Sequence, residues 1–348
     1  MTDRVTEGGP LRIAMISYYL PSTSKQGVGF QVHELATELA RRGHVVDVFS
    51  ACPPVPGARY GHRLIPLSGS SRTFRFASAL RRVDFSDYDV LHAHGDDYWL
   101  WGRRIPRHIR TLHGSCFDEA LRIRGLKERV RMVLLGMSEV LATIVADRTI
   151  AVSPPTRRWY PWVRRVIPNG VDLSRFHPGA EPRSLHPTVL FVGAWRGRKR
   201  GAELARIFGE QVRPVHPDAE LWMVSRDVPA GVGPGVRALG ALTDDELAQA
   251  YQRAWVFCLP SSYEGFGIPY AEAMASGLPV VATPNSGARY VTSNGTDGVL
   301  TKISSLGGEL SALLDDAPRR ADLARRGMDR VRIFDLARVV DDYLTVYR

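Results

Sequence analysis

The sequence lacks any long uncharged apolar run. Its most apolar stretch, residues 130–146, is interrupted by Arg131, Ser138 and Glu139. Because a membrane-spanning helix needs about 20 predominantly apolar residues, we expect no such helix. The first ten residues are polar and carry both signs of charge, so we expect no secretory signal peptide.

Cysteine is also scarce. Cys52, Cys116 and Cys258 lie far apart in the sequence and none belongs to a CxxC pair. An odd number of cysteines without pairing logic is typical of a reducing compartment. We therefore expect a cytoplasmic protein, with a peripheral position at the inner membrane face as an additional option.

The charge of the chain is unevenly distributed. Residues 1–184 contain 27 Lys and Arg against 17 Asp and Glu, whereas residues 185–348 contain 19 of each. A basic half attracts anions over long range, which suits a phosphorylated acceptor, an anionic membrane or a nucleic acid. Charge that serves only solubility is the alternative interpretation.

The pattern of apolar runs predicts an α/β fold. A buried strand at residues 11–17 is followed by a helix at 30–42, which Gly43 ends, and by a strand at 45–49. Further strands are predicted near 89–94, 109–113, 149–153 and 165–168, with a long helix over about 118–147. Such alternation is typical of a parallel sheet.

The pattern restarts after a Pro-rich segment at residues 176–187. Strands are predicted at 188–193, 220–225, 255–260 and 279–283, separated by helical segments. We therefore predict two doubly wound domains, 1–184 and 185–327. An amphipathic helix over 328–348 is expected to cross back towards the first domain.

The segment after the strand at 255–260 should face a ligand, because ligands of parallel sheets bind beyond the carboxyl ends of the strands. Glycines on both sides of Phe266 let the backbone approach a ligand closely, and Pro269 suits the first turn of a helix. A helix start attracts anions, and a diphosphate fits such a site.

Two glutamates frame this segment. Glu272 has apolar neighbours on the predicted helix, so its carboxylate needs a partner, which two ribose hydroxyls would supply. Glu264, eight residues earlier on the loop, is placed to accept hydrogen bonds from sugar hydroxyls. The alternative is that Glu272 is a surface residue of the helix and that Glu264 is an ordinary turn residue.

The stretch from Glu264 to Glu272 resembles the E-x7-E signature of glycosyltransferase family 4, and residues 166–172 (VIPNGVD) are similar to that family's segment before its second domain. The resemblance implies the GT-B fold, in which two Rossmann-like domains face a central cleft. It also implies retaining transfer of a sugar from a nucleotide diphosphate to a small-molecule, glycan or lipid-linked acceptor.

The resemblance further implies roles for individual residues. Glu264 would contact the donor sugar, Glu272 the ribose, and Arg198 with Lys199 the diphosphate. The family often has Arg where this chain has Ala194, so Arg196 is a further candidate for the diphosphate. The remaining implied residues are His113 near the reaction centre, the loop glycines Gly27 and Gly29, and Phe266, Gly267 and Ile268 beside the donor.

No metal site and no cofactor are expected, the donor being UDP-, GDP- or another nucleotide-diphosphate sugar. The alternatives are a dinucleotide-dependent oxidoreductase, whose full glycine fingerprint is missing, and a basic nucleic-acid-binding protein. Neither accounts for Glu264 and Glu272, so no nucleic-acid partner is expected.

The basic segment around Arg122, Arg124 and Lys127 would suit an anionic membrane or a solvated helix end.

Overall fold

A computed structural model of the chain describes residues 9–22, 27–67, 72–102, 107–121, 123 and 125–348. The chain divides into two units. The first comprises the residues up to Gly170 together with Leu336–Arg348, and the second is Val171–Asp335.

The strands, in chain order, are β1 (Arg12–Ile16), β2 (Val45–Ser50), β3 (Gly61–Leu64), β4 (Val90–Ala93), β5 (Arg107–Leu112), β6 (Arg148–Ala151), β7 (Arg165–Val166), β8 (Thr188–Val192), β9 (Glu220–Val224), β10 (Val236–Ala238), β11 (Val256–Leu259), β12 (Val280–Ala282) and β13 (Val299–Leu300). The α-helices are α1 (Gly27–Arg41), α2 (Arg72–Leu80), α3 (Cys116–Ala120), α4 (Leu126–Val145), α5 (Pro154–Arg157), α6 (Gly201–Ile207), α7 (Asp244–Arg253), α8 (Ile268–Ala275), α9 (Ser286–Val291), α10 (Leu306–Asp315), α11 (Ala317–Val331) and α12 (Leu336–Tyr347).

Each unit is built on one parallel sheet. The strand order is β3-β2-β1-β4-β5-β6-β7 in the first unit and β10-β9-β8-β11-β12-β13 in the second. The direction in which successive strands are added reverses between β1 and β4 in one sheet and between β8 and β11 in the other. In sheets of this kind the reversal point is where ligands bind. The prediction of two doubly wound Rossmann-like units is confirmed.

The central strand β1 shows why this sequence forms a sheet covered on both faces. Ile13 and Met15 point into a core formed with α1 and α12, whereas Ala14 and Ile16 point into a second core with α2. Successive side chains of a strand point to opposite faces, so both faces need apolar residues. A continuous apolar run therefore forms a buried parallel strand.

The segment between the units packs with the second one. The Ser184 amide donates to the Arg253 carbonyl at 2.8 Å, and the Arg183 guanidinium donates to the Gly277 carbonyl at 2.6 Å. The structural division therefore falls after Gly170, whereas the sequence indicated residue 184. A Pro-rich stretch marks irregular backbone but does not show which core that backbone packs against.

The C-terminal amphipathic segment is two helices joined by a 3-10 turn at Arg332–Phe334. Phe334 is buried beside Phe266 of the second unit, whereas Leu336 and Tyr343 of α12 are buried in the core of the first. The first unit therefore includes the chain from Leu336, rather than from residue 328.

The helix predicted over 118–147 is also divided. Ser115 caps α3, which ends at Ala120, and α4 begins after Gly125. Arg122 and Arg124, assigned to this helix from sequence, lie outside the described residues. Three strands were missed, β3, β10 and β13, because these short edge strands carry few buried side chains and show no apolar periodicity.

Candidate functional site

Two loops meet at the point of reversal in the second sheet. One follows β8 and carries Arg198 and Lys199, and the other follows β11 and carries Glu264. The Ser262 amide donates to the Arg198 carbonyl at 2.8 Å, so the backbones of the two loops are joined directly. The structure thus brings together basic and acidic side chains that are more than 60 residues apart in sequence.

Glu264 is the centre of this cluster and is only 5 % exposed. Its carboxylate lies 2.7 Å from Lys199 Nζ and 3.3 Å from the Arg198 guanidinium. Ser261 Oγ donates to the same carboxylate at 2.6 Å. One carboxylate thus faces two cations, so the cluster keeps a net positive charge and suits an anionic ligand.

The ionisation of Glu264 follows from these contacts. Burial alone would raise the pKa of this carboxyl, but Lys199 and Arg198 outweigh burial and lower it. Glu264 is therefore ionised at neutral pH and accepts hydrogen bonds rather than donating a proton. Such a group can orient a sugar hydroxyl or hold the two cations in place.

The shape of the basic loop depends on glycine. A Cβ at Gly193 would lie 3.2 Å from Lys199 Cγ, so Gly193 leaves room for the lysine stem. Gly197 and Arg200 have left-handed backbone, with φ of 77° and 57°, which turns the chain back into α6. Arg198 and Arg196 are both exposed, and Arg196 lies two residues farther from the start of α6 than Arg198 does.

The glycine-framed turn is held by its central aromatic residue. Phe266 is buried, with its ring 5.2 Å from that of Phe334 and 5.9 Å from that of Tyr290. Gly267 has a φ of 94° and caps α8 without a side chain, and a Cβ there would lie 2.4 Å from the Tyr270 ring. Phe266 therefore anchors the turn by its side chain, which leaves only its backbone to face a ligand.

Glu272 differs from the expectation. It lies on α8, is half-buried, and accepts a hydrogen bond from Tyr251 Oη of α7 at 2.9 Å. Its carboxylate thus already has a hydrogen-bond partner in the protein, so the need for a partner no longer argues for ribose hydroxyls, and the ribose contact stays a prediction. Burial of Tyr251 and, after it, the Glu272 carboxylate raise the pKa of the Tyr251 phenol, which therefore stays protonated and donates.

Sequence reasoning missed the contribution of the third loop at this edge. Asn285, which follows β12, donates to the carbonyl of Ser261 at 3.0 Å and caps α9 through its side chain. The Gly287 amide donates to the Glu264 carbonyl at 2.8 Å. The signal was present, since residues 284–287 follow a predicted strand at the same edge.

The first unit has its own polar cluster at the carboxyl ends of its strands. His113 Nε2 lies 2.9 Å from His94 Nδ1. His92, two residues before His94, is fixed between Tyr347 Oη at 2.6 Å and Thr111 Oγ1 at 2.8 Å. Burial lowers the pKa of His113 to about 4, an effect that Asn169 opposes. These histidines are neutral at pH 7, which suits hydrogen bonding rather than charge.

The two glycines predicted to form a loop after β1 lie within α1 instead. Gly27 is the first residue of this helix, and Gly29 is buried in its first turn. A Cβ at Gly29 would lie 2.9 Å from the Tyr19 carbonyl oxygen, so Gly29 allows close packing of the helix on the backbone. That packing explains Gly29 without a ligand.

No group of three or more His, Cys, Asp or Glu side chains that could hold a metal is found among the described residues. The buried Asp97 is instead paired with Arg110 and His108. Of the helices in the described part of the chain, none is long and apolar enough to cross a membrane.

Comparison with known proteins gives two family matches that together span most of the chain. Residues 25–175 match the model described as Glycosyltransferase Family 4, and residues 186–316 match that described as Glycosyl transferases group 1. The phosphatidyl-myo-inositol mannosyltransferase of Mycolicibacterium smegmatis is 29 % identical, over 97 % of this chain and 93 % of that protein.

Solved structures show the same fold. Sucrose-phosphate synthase from Thermosynechococcus elongatus is similar with a TM-score of 0.82 and 22 % identity, over 97 % of this chain and 98 % of that one. Anabaena Alr3699/HepE in complex with UDP-glucose is similar with a TM-score of 0.76 and 16 % identity, over 97 % and 100 %. The fold is therefore GT-B, as the sequence predicted.

Proposed function

Because the chain belongs to glycosyltransferase family 4, we propose that it transfers a sugar from a nucleotide-diphosphate sugar to an acceptor, with retention of anomeric configuration. The observation that carries this proposal is the cluster of Arg198, Lys199 and Glu264 at the point of reversal in the second sheet. Neither the structure nor the similarities support the alternatives of an oxidoreductase or a nucleic-acid-binding protein.

The donor is proposed to lie over this cluster. Its diphosphate would contact Arg198 and Lys199, with Arg196 within the same loop, and the start of α8 at Gly267 and Ile268 would offer backbone to the phosphates. Glu264 would accept hydrogen bonds from the sugar. Glu272 would contact the ribose through the acceptor positions of its carboxylate that Tyr251 does not occupy. The similar Anabaena protein was solved with UDP-glucose, which supports a nucleotide sugar as donor.

The leaving diphosphate needs charge stabilisation as its bond to the sugar breaks. We propose that Arg198 and Lys199 supply this charge without a metal, and that the enzyme needs no cofactor. Each charged hydrogen bond contributes about 1.5–3 kcal/mol, so two of them provide a useful share of the catalysis. His113 of the first unit is proposed to donate a hydrogen bond near the reaction centre.

For the acceptor we favour a lipid-linked one over a free small molecule or glycan. The similar mycobacterial protein is named for transfer of mannose to phosphatidyl-myo-inositol, a phosphorylated lipid. A phosphorylated acceptor also agrees with the excess of Lys and Arg in the first half of the chain. The enzyme would work in the cytoplasm, at the inner face of the membrane.

A transfer assay tests the proposal. Purified protein is incubated with UDP-, GDP- and ADP-sugars and with phosphatidylinositol vesicles, in EDTA, and products are separated by mass and their anomeric configuration read by NMR. We expect transfer from one donor, with retention, undiminished by EDTA. Loss of activity in EDTA, or an inverted product, would refute those parts of the proposal.

A pair of variants tests the site itself. Arg198→Gln removes a half-exposed cation and should lower kcat/KM by about tenfold to a hundredfold, since one charged contact is lost. Lys302→Met removes an exposed lysine outside the cluster and should leave kcat/KM unchanged. Equal activity in both variants would show that the cluster does not bind the donor.

A further inference from the structure

Helix α4 presents two different faces. Its buried residues, Met132, Gly136, Ala142 and Thr143, lie on one side. A Cβ at Gly136 would lie 2.7 Å from the ring of Phe117 on α3, so this side is closely packed. The orientation of α4 in the first unit is thereby fixed, and its opposite side faces outwards.

That opposite side is apolar. Seven large hydrophobic side chains are between 38 % and 76 % exposed: Leu126, Val130, Val133, Leu134, Met137, Leu141 and Ile144. With 3.6 residues per turn they fall within an arc of about 100° and extend over about 27 Å. We call these seven residues the apolar stripe. Single exposed apolar residues are ordinary, but a continuous row of them marks an interaction site.

The apolar stripe is flanked by positive charge. Lys127 and Arg129 are exposed beside it, and the exposed Arg131 is paired with Glu128. The residues of the first unit contain 27 Lys and Arg against 17 Asp and Glu, whereas those of the second contain 19 of each. The entire net charge of +10 therefore belongs to the unit that carries the apolar stripe.

A basic cavity follows the helix. Arg148, three residues beyond the end of α4, lines a cavity of about 440 Å³ together with Arg107, Arg165 and Arg348. Asp147 is the one carboxylate side chain in its lining. A cavity with four guanidinium groups and one carboxylate attracts phosphate, the group that anionic phospholipids carry.

We propose that α4 docks the protein on an anionic phospholipid bilayer. The apolar stripe lies in the plane of the interface with its side chains among the upper acyl chains, while Lys127, Arg129 and the arginine cavity contact lipid phosphates. The alternative occupant, a second copy of the chain, would bring two units of strong positive charge together. An anionic surface complements that charge, and a second copy repels it.

The docking surface goes beyond the proposed transfer reaction and does not depend on it. It rests on α4 and the cavity in the first unit, whereas the proposed donor site lies in the second. Vesicle binding and sugar transfer can therefore fail separately. If the acceptor is a lipid, docking also concentrates the enzyme on the surface that holds it.

Vesicle co-sedimentation of the full chain tests the proposal, with vesicles of phosphatidylcholine alone and of phosphatidylcholine with phosphatidylglycerol. We expect binding to the anionic vesicles that weakens as salt rises. The triple variant Leu134→Gln, Met137→Gln, Ile144→Gln should bind at least about tenfold more weakly. Removal of each contacting charge, as in Arg129→Gln or Arg148→Gln, should weaken binding about fivefold.

Leu185→Gln is the matched control, because Leu185 is 93 % exposed and belongs to the second unit rather than to the apolar stripe. It should bind vesicles as the wild type does. Circular dichroism and thermal unfolding check that each variant is folded. The proposal is overturned if anionic vesicles fail to bind the wild type, or if the triple variant binds them equally well. It is also overturned if the wild type is a dimer that the triple variant disrupts, since a second copy then covers the stripe.

Discussion

Replacement of Lys199 by Met tests whether the cluster at the second sheet works as an electrostatic unit. The Glu264 carboxylate is almost fully buried and lies 2.7 Å from Lys199 Nζ, while Arg198 is farther away and half exposed. Removal of one partner of a fully buried ion pair costs about 3–5 kcal/mol. Because Arg198 and Ser261 remain, we expect a smaller loss of about 2–3 kcal/mol.

This loss should appear as a fall of about 5–10 °C in the unfolding temperature of the second unit. The double variant Lys199→Met, Glu264→Gln leaves no buried charge without a partner and should recover at least about 1 kcal/mol. Lys302→Met, on the surface, serves as the control for loss of a lysine and should shift the unfolding temperature little.

The pH dependence gives an independent check. The pKa of Glu264 is lowered in the folded protein, so its ion pairs stabilise the fold above the unfolded value of 4.5 and cease to do so as pH falls below it. The wild type and Lys199→Met should therefore converge in stability as the pH falls from 4.5 through that lowered pKa. Equal stability of Lys199→Met and Lys302→Met at pH 7 would refute the electrostatic argument.

Two further predictions concern packing and the buried histidines. Gly287→Ala places a Cβ 2.4 Å from the Phe266 carbonyl oxygen and should destabilise the second unit by about 1–3 kcal/mol. Gly308→Ala is the control, because a Cβ there meets nothing within 4 Å. Urea unfolding compares the two variants, and equal stabilities would contradict the packing argument. Because the pKa of His113 is lowered from 6.5 to about 4, the first unit should be most stable above pH 6.5 and lose about 1–3 kcal/mol as pH falls from 6.5 towards 4. His113→Asn should weaken this pH dependence in thermal unfolding between pH 7 and 5, and an unchanged slope would mean that His113 is not the buried neutral group.

The regular parts of both sheets could be predicted from apolar runs alone. The continuous run at Ile13–Ile16 reflects burial on both faces of the sheet, and the helical spacing of Leu35 and Leu39 reflects burial of one helix face. Helix ends were less predictable: α3 ends at Ala120 and α4 begins after Gly125, where the sequence pattern predicted one continuous helix. The domain boundary depended on tertiary packing of Ser184 and Arg183, which no local pattern shows.

The candidate site was predicted in its residues but not in its contacts. The loop positions of Glu264, Arg198 and Lys199 followed from strand ends, yet their ion pairs join segments that only the sheet order brings together. The Tyr251 partner of Glu272 likewise comes from a neighbouring helix. The outward face of α4 was hidden because an apolar side chain in a sequence does not show whether it is buried.

The cluster of Arg198, Lys199 and Glu264 is proposed to bind the diphosphate of a nucleotide sugar. Calorimetric titration of UDP, GDP and ADP into the wild type and into Arg198→Gln measures this binding, with Lys302→Met as control. We expect one nucleotide to bind the wild type and the control equally, with an affinity that falls as salt rises, and to bind Arg198→Gln at least about tenfold more weakly. Equal affinity of the wild type and Arg198→Gln for that nucleotide would contradict the proposal.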